Sequence, residues 1–442
     1  MIASVGRMMR KGGGGLSWPA GMKESIKAIY DPKKQGMTNY DVIEAYVEDF
    51  TYWTLDNTGI TSTPKKIVIP AGTKLKYVIA FRGFNSFTAG FDIKYTGNAV
   101  IRYQYNKEDG TTGIITINRS GIYHLPASIK AQKNFGFYCN PQTVTEEATI
   151  EQLPTSILKD LSGNGNHAYL YGGKGKLNSG MGLYKVDFTS WRKSSVQTEV
   201  KPDVVKVTPN TSDYLFIQYA NSVEIPSYKI KVIGLGDNVL KYQYATENGR
   251  KEINIVEGEN ELPTSIKVSN DYQIGYRLTP GTSVFTITQI PDYPDQLCYD
   301  GKMYAVCYGF PILTDYTVMA ERTWFERQNR ACFLSKITTS GTGAFGFEFY
   351  NEYNEDTTYS FGRANNVEYF KDGITYQITN SYNGIVKLDY IVNGKDNAEL
   401  YIGKLRPSER PAFIGCHGAI IIADRSFTEE EINWLKDNLF RK

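Results

Sequence analysis

Asp49-Phe50-Thr51-Tyr52-Trp53 returns 138 residues later as Asp187-Phe188-Thr189-Ser190-Trp191. Three more words return in the same order. Ile101-Arg102-Tyr103-Gln104-Tyr105 becomes Leu240-Lys241-Tyr242-Gln243-Tyr244, an offset of 139. Leu125-Pro126-Ala127-Ser128-Ile129-Lys130 becomes Leu262-Pro263-Thr264-Ser265-Ile266-Lys267, an offset of 137. Thr149-Ile150-Glu151-Gln152-Leu153-Pro154 becomes Thr286-Ile287-Thr288-Gln289-Ile290-Pro291, again 137. Four words at a nearly constant offset mark two copies of one module, at 49–154 and 187–291. Each copy is the size of a small domain. The stretches outside the copies must then fold together, so the expected organisation is one host domain carrying two inserted sister modules.

Inside the first copy, short β-branched and aromatic runs end at turn signals. Lys65-Lys66-Ile67-Val68-Ile69-Pro70 closes at Ala71-Gly72, and Lys76 to Phe81 closes at Gly83. Ala99 to Tyr105 turns at Asp109-Gly110 into Gly113-Ile114-Ile115-Thr116-Ile117. The second copy repeats the pattern with a turn at Asn248-Gly249. Such punctuation predicts β-sandwiches, with no helix-period run in either copy. Residues 292–425 are again strand-like, as in Met303 to Tyr308 and Ala344 to Phe349. The fold class is therefore all-β, ending in one short C-terminal helix. Thr428 and Glu431 form its capping box, and Ile432, Leu435 and Leu439 its apolar stripe. A second short helix is expected from Thr38, capped by Asp41, to about Tyr46.

Lys plus Arg is 49 and Asp plus Glu is 47, so no field exists to steer nucleic acid or coat a membrane. No apolar run is long enough to span a bilayer. The five cysteines, Cys139, Cys298, Cys307, Cys332 and Cys416, contain no C-x-x-C pair, and buried free thiols are expected. Tyr outnumbers Phe, 33 to 21, which predicts many strand positions on half-wet surfaces. Residues 1–22 are basic, then glycine-rich, and lack the apolar core of an export signal. They read either as a flexible tail or as a docking peptide that orders on a partner.

With both copies removed, the segments 23–48, 155–186 and 292–442 remain. Leu158-Lys159-Asp160-Leu161-Ser162-Gly163-Asn164-Gly165-Asn166-His167 is rich in Gly and Asn and predicts a tight loop. That word, the stretch Tyr299 to Tyr304, and the closing run Gly418-Ala419-Ile420-Ile421-Ile422 to Leu439 resemble the concanavalin A-like lectin/glucanase superfamily, laminin-G-like branch. The resemblance covers about half of the chain and implies a jelly roll of two antiparallel sheets. A narrower one lies at the front. Met8-Met9-Arg10-Lys11 before the glycines, and Tyr30 to Asn39, resemble lectin-fold virion proteins of bacteriophages that infect Bacteroides-type gut bacteria. It implies a head-fibre or tail protein made in the bacterial cytoplasm and carried on the virion. It also implies a homo-oligomer, most simply a trimer, held to other virion proteins through residues 1–20, with glycans as a further partner.

The glucanases of the superfamily place carboxylates on alternate positions of one strand so that acid and nucleophile flank the glycosidic bond. That pattern is not found in this sequence. Glu352, Glu355 and Asp356 sit among Asn351, Asn354 and Thr357 and read as a polar loop. No catalytic residues are assigned, and binding without turnover is expected. A secreted or surface bacterial lectin, or a glycan-active enzyme, is the alternative. Sugar binding calls for aromatic faces beside amides, and Tyr353, Asn354, Tyr382 and Asn383 have that composition in loop-like stretches. No cofactor is expected. Asp- and Asn-rich loops offer oxygen ligands to calcium, but no Asp-x-Asp-x-Asp spacing supports a site.

Overall fold

The computed structural model describes residues 18–56, 59–193, 198–209, 214–313, 315–326, 328–337, 346–352, 355–361, 383–391, 399–405 and 412–440. The chain is all-β, with antiparallel pairing throughout its named strands.

Two sheets form from the host segments. In the first, Gly180–Leu183, Asp292–Asp300, Ile414–Ala423, Asp315–Glu326 and Asn383–Ile391 lie side by side, and Ile26–Tyr30 also pairs with Ile414–Ala423. Tyr30 stands opposite Ile420, and Leu297 opposite His417, so the first host segment shares a sheet with the last. The second sheet runs Ile157–Leu158, Ala168–Tyr171, Tyr304–Cys307, Leu400–Ile402, Cys332–Ile337, Gly346–Glu352, Glu355–Phe361. Tyr30, Leu297, Tyr299, Ile420 and Ile422 of the first sheet meet Leu158, Leu170, Ala305, Leu400 and Ile402 of the second in one core.

The run Ala419-Ile420-Ile421-Ile422 has no polar alternation because both faces of its strand are covered. Ile420 and Ile422 enter the core between the sheets, whereas Ala419, Ile421 and Ala423 pack against Met22, Phe427, Ile432, Leu435 and Phe440. Each such isoleucine gains about 1.5–3 kcal/mol from burial. The covering helix, Glu429–Leu435, starts at the expected box: Thr428 Oγ1 accepts from Glu431 N, and Thr428 N donates to Glu431 Oε2 at 2.9 Å. A π-turn follows over Lys436–Phe440. Its wider winding shifts the buried face, so Phe440 is buried and the expected Leu439 only partly so.

The Gly- and Asn-rich loop finishes the exposed side of Ile26–Tyr30. Asp160 accepts from Ile29 N, Ser162 N and Asn166 N, at 3.0, 2.8 and 3.1 Å. The Asn164 and Asn166 side-chain amides donate to the carbonyls of Ile26 and Lys27. Side chains thus pair an edge that would otherwise present bare backbone. Gly163 and Gly165, at φ 94° and 79°, supply the left-handed turns that the loop requires. The helix expected from Thr38 is shorter than its sequence pattern. The capping box forms, but only a 3₁₀ turn, Asn39–Val42, follows. Ile43 is extended because it bridges Lys174, and Glu44 N donates to Gly173 O. Tertiary pairing outweighs the cap.

The two repeated stretches have the same strand order. In the first, one sheet runs Gly121–Leu125, Phe91–Thr96, Ala148–Gln152, Lys66–Ile69, Thr61–Ser62, and the other Thr54–Leu55, Val78–Arg82, Phe135–Cys139, Ile101–Asn106, Thr112–Ile117. The second matches them with Gly258–Leu262, Tyr228–Ile233, Phe285–Ile290, Val204–Val207, Thr198–Val200, and with Arg192–Lys193, Tyr214–Tyr219, Gln273–Thr279, Val239–Thr246, Gly249–Ile255. Each stretch has its own apolar core.

The repeated words mark the shared architecture. Asp49 and Asp187 each cap a 3₁₀ turn that buries Phe50 or Phe188. Ser128 Oγ accepts from Asn106 N, as Ser265 Oγ does from Ala245 N. Gln152 Oε1 accepts from Val47 N and Glu48 N, and its amide donates to Glu48 O, all at 2.8 Å. Gln289 repeats this clasp on Lys185 N, Val186 N and Val186 O. In both copies the clasp ties the exit of the stretch to its entry.

Tyrosine divides between two settings. The outer face of the second host sheet carries half-buried Tyr171, Tyr304 and Tyr308, matching the half-wet expectation. Tyr30, Tyr95, Tyr103, Tyr242, Tyr276, Tyr299 and Tyr316 are instead fully buried. Burial is tolerated where the hydroxyl finds an acceptor, as Tyr30 does at Asn166 O (2.6 Å) and Tyr95 at Ala99 O (2.6 Å). All five cysteines are buried and free.

Candidate functional site

Where the first insert leaves the host, a cleft of about 390 Å³ opens between the entry segment with its 3₁₀ turn, Phe50–Tyr52, and the turn after Val78–Arg82. Val47, Glu48, Asp49, Tyr52, Arg82, Phe87, Thr88 and Ala89 line it. Its volume falls in the range of small-molecule sites, roughly 300–1,000 Å³. Tyr52 and Phe87 are 73% and 61% exposed, large apolar surfaces left in water.

Local chemistry holds these groups in place. Asp49 Oδ1 accepts from Thr51 N (2.9 Å) and Thr51 Oγ1 (2.5 Å), which fixes the turn that carries Tyr52. Trp53 donates its indole N–H to Glu48 Oε2 at 3.1 Å and orients that carboxylate. Arg82 donates to Tyr52 O at 3.3 Å. Its Nε is buried and has no hydrogen-bond partner among the described residues. Lys130 Nζ lies 5.7 Å from the centre of the Phe87 ring.

The insert beneath the cleft is docked on the tyrosine face of the host. Tyr169 donates to Asp92 at 2.8 Å, and Asp92 also holds His124 at 2.7 Å. Lys94 pairs with Glu399 at 2.9 Å and sits 4.2 Å over the Tyr308 ring. Tyr171 and Tyr308 share a hydroxyl contact of 2.9 Å, and burial raises both phenol pKa values. The matching outward positions of the second insert, Lys229 and Lys231, are exposed. Among the described residues, only the first insert meets the host through this outward face of its strand.

Of the sugar-binding candidates read from the sequence, Tyr353, Asn354 and Tyr382 lie outside the described residues. Asn383, expected in a loop, opens the strand Asn383–Ile391 and pairs with Thr323. Glu352, Glu355 and Asp356, expected in a loop, lie on a hairpin in which Glu352 faces Glu355 and Asn351 faces Asp356. The tail 1–17 also lies outside the described residues. Among the described residues, no group of three or more His, Cys, Asp or Glu is placed to hold a metal ion, and no helix is long and apolar enough to cross a membrane. The cleft was missed because its residues come from three short segments. Its one sequence signal was Tyr52 standing where the sister word has Ser190.

No family model and no curated protein matches the chain. Similar solved structures include the Trypanosoma rangeli sialidase in complex with sialic acid, at 10% identity and a TM-score of 0.23, over 87% of this chain and 86% of that one. The same sialidase in complex with the inhibitor DANA matches at 10% identity and a TM-score of 0.22, over 86% and 85% of the two chains. A TM-score that low carries no argument about fold or activity.

Proposed function

We propose that this chain is a structural surface protein of a bacteriophage particle, a head fibre or tail-associated protein, whose lectin-like host domain and inserted sandwiches serve adhesion to bacterial-surface or gut glycans. The observation that supports glycan binding best is the cleft at the first insert. There, Tyr52 and Phe87 are exposed beside Arg82, Glu48 and Asp49. Exposed rings next to hydrogen-bonding charges suit a ligand with one apolar face and many hydroxyls. The virion assignment rests on the resemblance of the host segments and of the front of the chain, and on nothing in the cleft. In this reading the chain binds and does not turn over its ligand. It works as a homo-oligomer, most simply a trimer, anchored to other particle proteins through residues 1–20. Several weak sites on one particle then act together, because linked binding raises the effective concentration of each.

The experiment has two arms. Mass spectrometry of purified virions is expected to find the chain in stoichiometric amount, and its absence would defeat the particle assignment. Glycan-array binding by the full-length protein is expected to be positive without release of reducing ends. Release of reducing ends would make the protein an enzyme and reverse the reading.

A further inference from the structure

We infer that the cleft at the first insert binds neutral hexopyranose units of a glycan. The inference rests on the adhesion reading and names its ligand. Tyr52 and Phe87 offer ring faces to the C–H face of a sugar, while Glu48, Asp49 and Arg82 meet its hydroxyls.

The sister insert is an internal control for what the scaffold itself requires. Tyr52 corresponds to Ser190, Glu48 to Val186 and Arg82 to Gln218. Between the matched turn residues Ser86 and Ser222 and the matched bridges Thr88–Ser128 and Ile225–Ser265, the first insert places Phe87 and the second Val223 and Glu224. The framework bonds are the same in both copies. Gln218 donates to Ser190 O at 3.0 Å, as Arg82 does to Tyr52 O. Asp187 caps its turn as Asp49 does. One strand order is therefore built without either exposed ring and without the guanidinium or the Glu48 carboxylate. These four groups are additions to the fold, and they converge on one cleft.

Exposed rings are a cost in water, so a cluster of them marks a surface that another molecule covers. The charges say what that molecule carries. Glu48, Asp49 and Arg82 all line the cleft, and Lys130 Nζ lies 5.7 Å from the centre of the Phe87 ring. The two carboxylates and two cations balance, so the cleft gives no net attraction to an acidic sugar. The same carboxylates accept hydroxyl protons, and the guanidinium donates to hydroxyl or ring oxygens. Preorganisation lowers the cost of binding. The Gln152 clasp holds Val47 and Glu48, the Asp49 cap holds the Tyr52 turn, and the contacts of Lys94 and Asp92 hold the insert on the host.

The test is calorimetric titration of the full-length protein with neutral trisaccharides (maltotriose, mannotriose, galactotriose) and with acidic probes (tri-galacturonate, sialyllactose). The variants install the sister residues: Tyr52→Ser with Phe87→Val, and separately Arg82→Gln. Both keep framework bonds that the second insert already makes, and an unchanged thermal transition verifies their fold. The expected result is binding of at least one neutral trisaccharide, weakened by about tenfold or more in the double variant, as the loss of two ring contacts implies. Preference for the acidic probes, lost in the double variant, would overturn the ligand class and leave the adhesion reading standing. Neutral binding untouched by every variant would overturn the site and also leave adhesion standing. No binding of any probe by the wild-type chain would overturn this inference, and a blank glycan array beside it would take the adhesion reading down as well.

Discussion

Replacing Gln152 with leucine tests whether the clasp holds the first insert closed. The side chain is 1% exposed and serves three backbone groups, Val47 N–H, Glu48 N–H and Glu48 C=O, each at 2.8 Å. Leucine is of similar size, so little packing is lost and the hydrogen bonds are the main change. Each such bond has a net worth of about 1 kcal/mol, rising to about 1–3 kcal/mol where the abandoned group stays buried. The expected cost is about 3–5 kcal/mol. For a domain of about 100 residues, each kcal/mol moves Tm by roughly 4–8 °C. Scanning calorimetry should therefore show one transition falling by at least about 12 °C while the others hold. Gln289→Leu should shift a different transition by a similar amount, because Gln289 makes the same three bonds. Gln152→Glu separates the two halves of the clasp. Its carboxylate can still accept from Val47 N and Glu48 N but cannot donate to Glu48 O until it is protonated. Its deficit should therefore shrink as the pH falls toward 4. A loss below about 1 kcal/mol in Gln152→Leu, with Gln289→Leu equally mild, would show that the clasp is incidental.

Burial pushes the His417 imidazole down to about 4, against a smaller opposing effect of its bond to Gly418 O, and the ring is neutral in the fold. Above about 6.5 both folded and unfolded forms are neutral and the residue adds no pH dependence. As the pH falls from 6.5 to 4 only the unfolded chain takes up the proton, so up to about 3 kcal/mol of stability is lost in that window. His417→Gln should flatten this part of a denaturation profile, and an unchanged slope would place the acid sensitivity elsewhere. Burial also raises the thiol pKa values of Cys139, Cys298 and Cys307, that of Cys307 to about 12. The native protein should resist alkylation at pH 8 and show five thiols on denaturation. Rapid native labelling of several thiols would contradict the packing. Asp160→Ala strips the acceptor from Ile29 N, Ser162 N and Asn166 N and should cost about 2–4 kcal/mol. A shift under 1 kcal/mol would mean that water replaces the carboxylate without loss. Thr428→Ala removes the Oγ1 acceptor of Glu431 N and should cost about 1 kcal/mol, checked by chemical denaturation.

Periodicity and punctuation are local properties, and local properties are what the sequence determined. The four repeated words settled that two distant stretches take one strand order. Each word holds a framework element, whether a capped turn, a buried ring, a serine acceptor or a glutamine clasp, and such groups have few substitutes. The C-terminal capping box was equally legible, because a cap needs only residues three apart. Where tertiary pairing competes, local signals mislead. The cap at Thr38 opens only a short 3₁₀ turn, because Ile43 is drawn into a bridge with Lys174. The stripe that predicted Leu439 was displaced toward Phe440 by a π-turn. The site was decided by tertiary structure alone. Residue composition singled out Tyr353 and Tyr382, which lie outside the described residues, and the exposure and convergence that mark the cleft are properties of the folded surface. Val47, Tyr52, Arg82 and Phe87 meet because the clasp, the capped turn and one strand end bring three segments to one place. No spacing along the chain encodes that meeting, because it depends on a clasp that reaches about 100 positions along the chain and on a bond from Arg82 back to Tyr52 O.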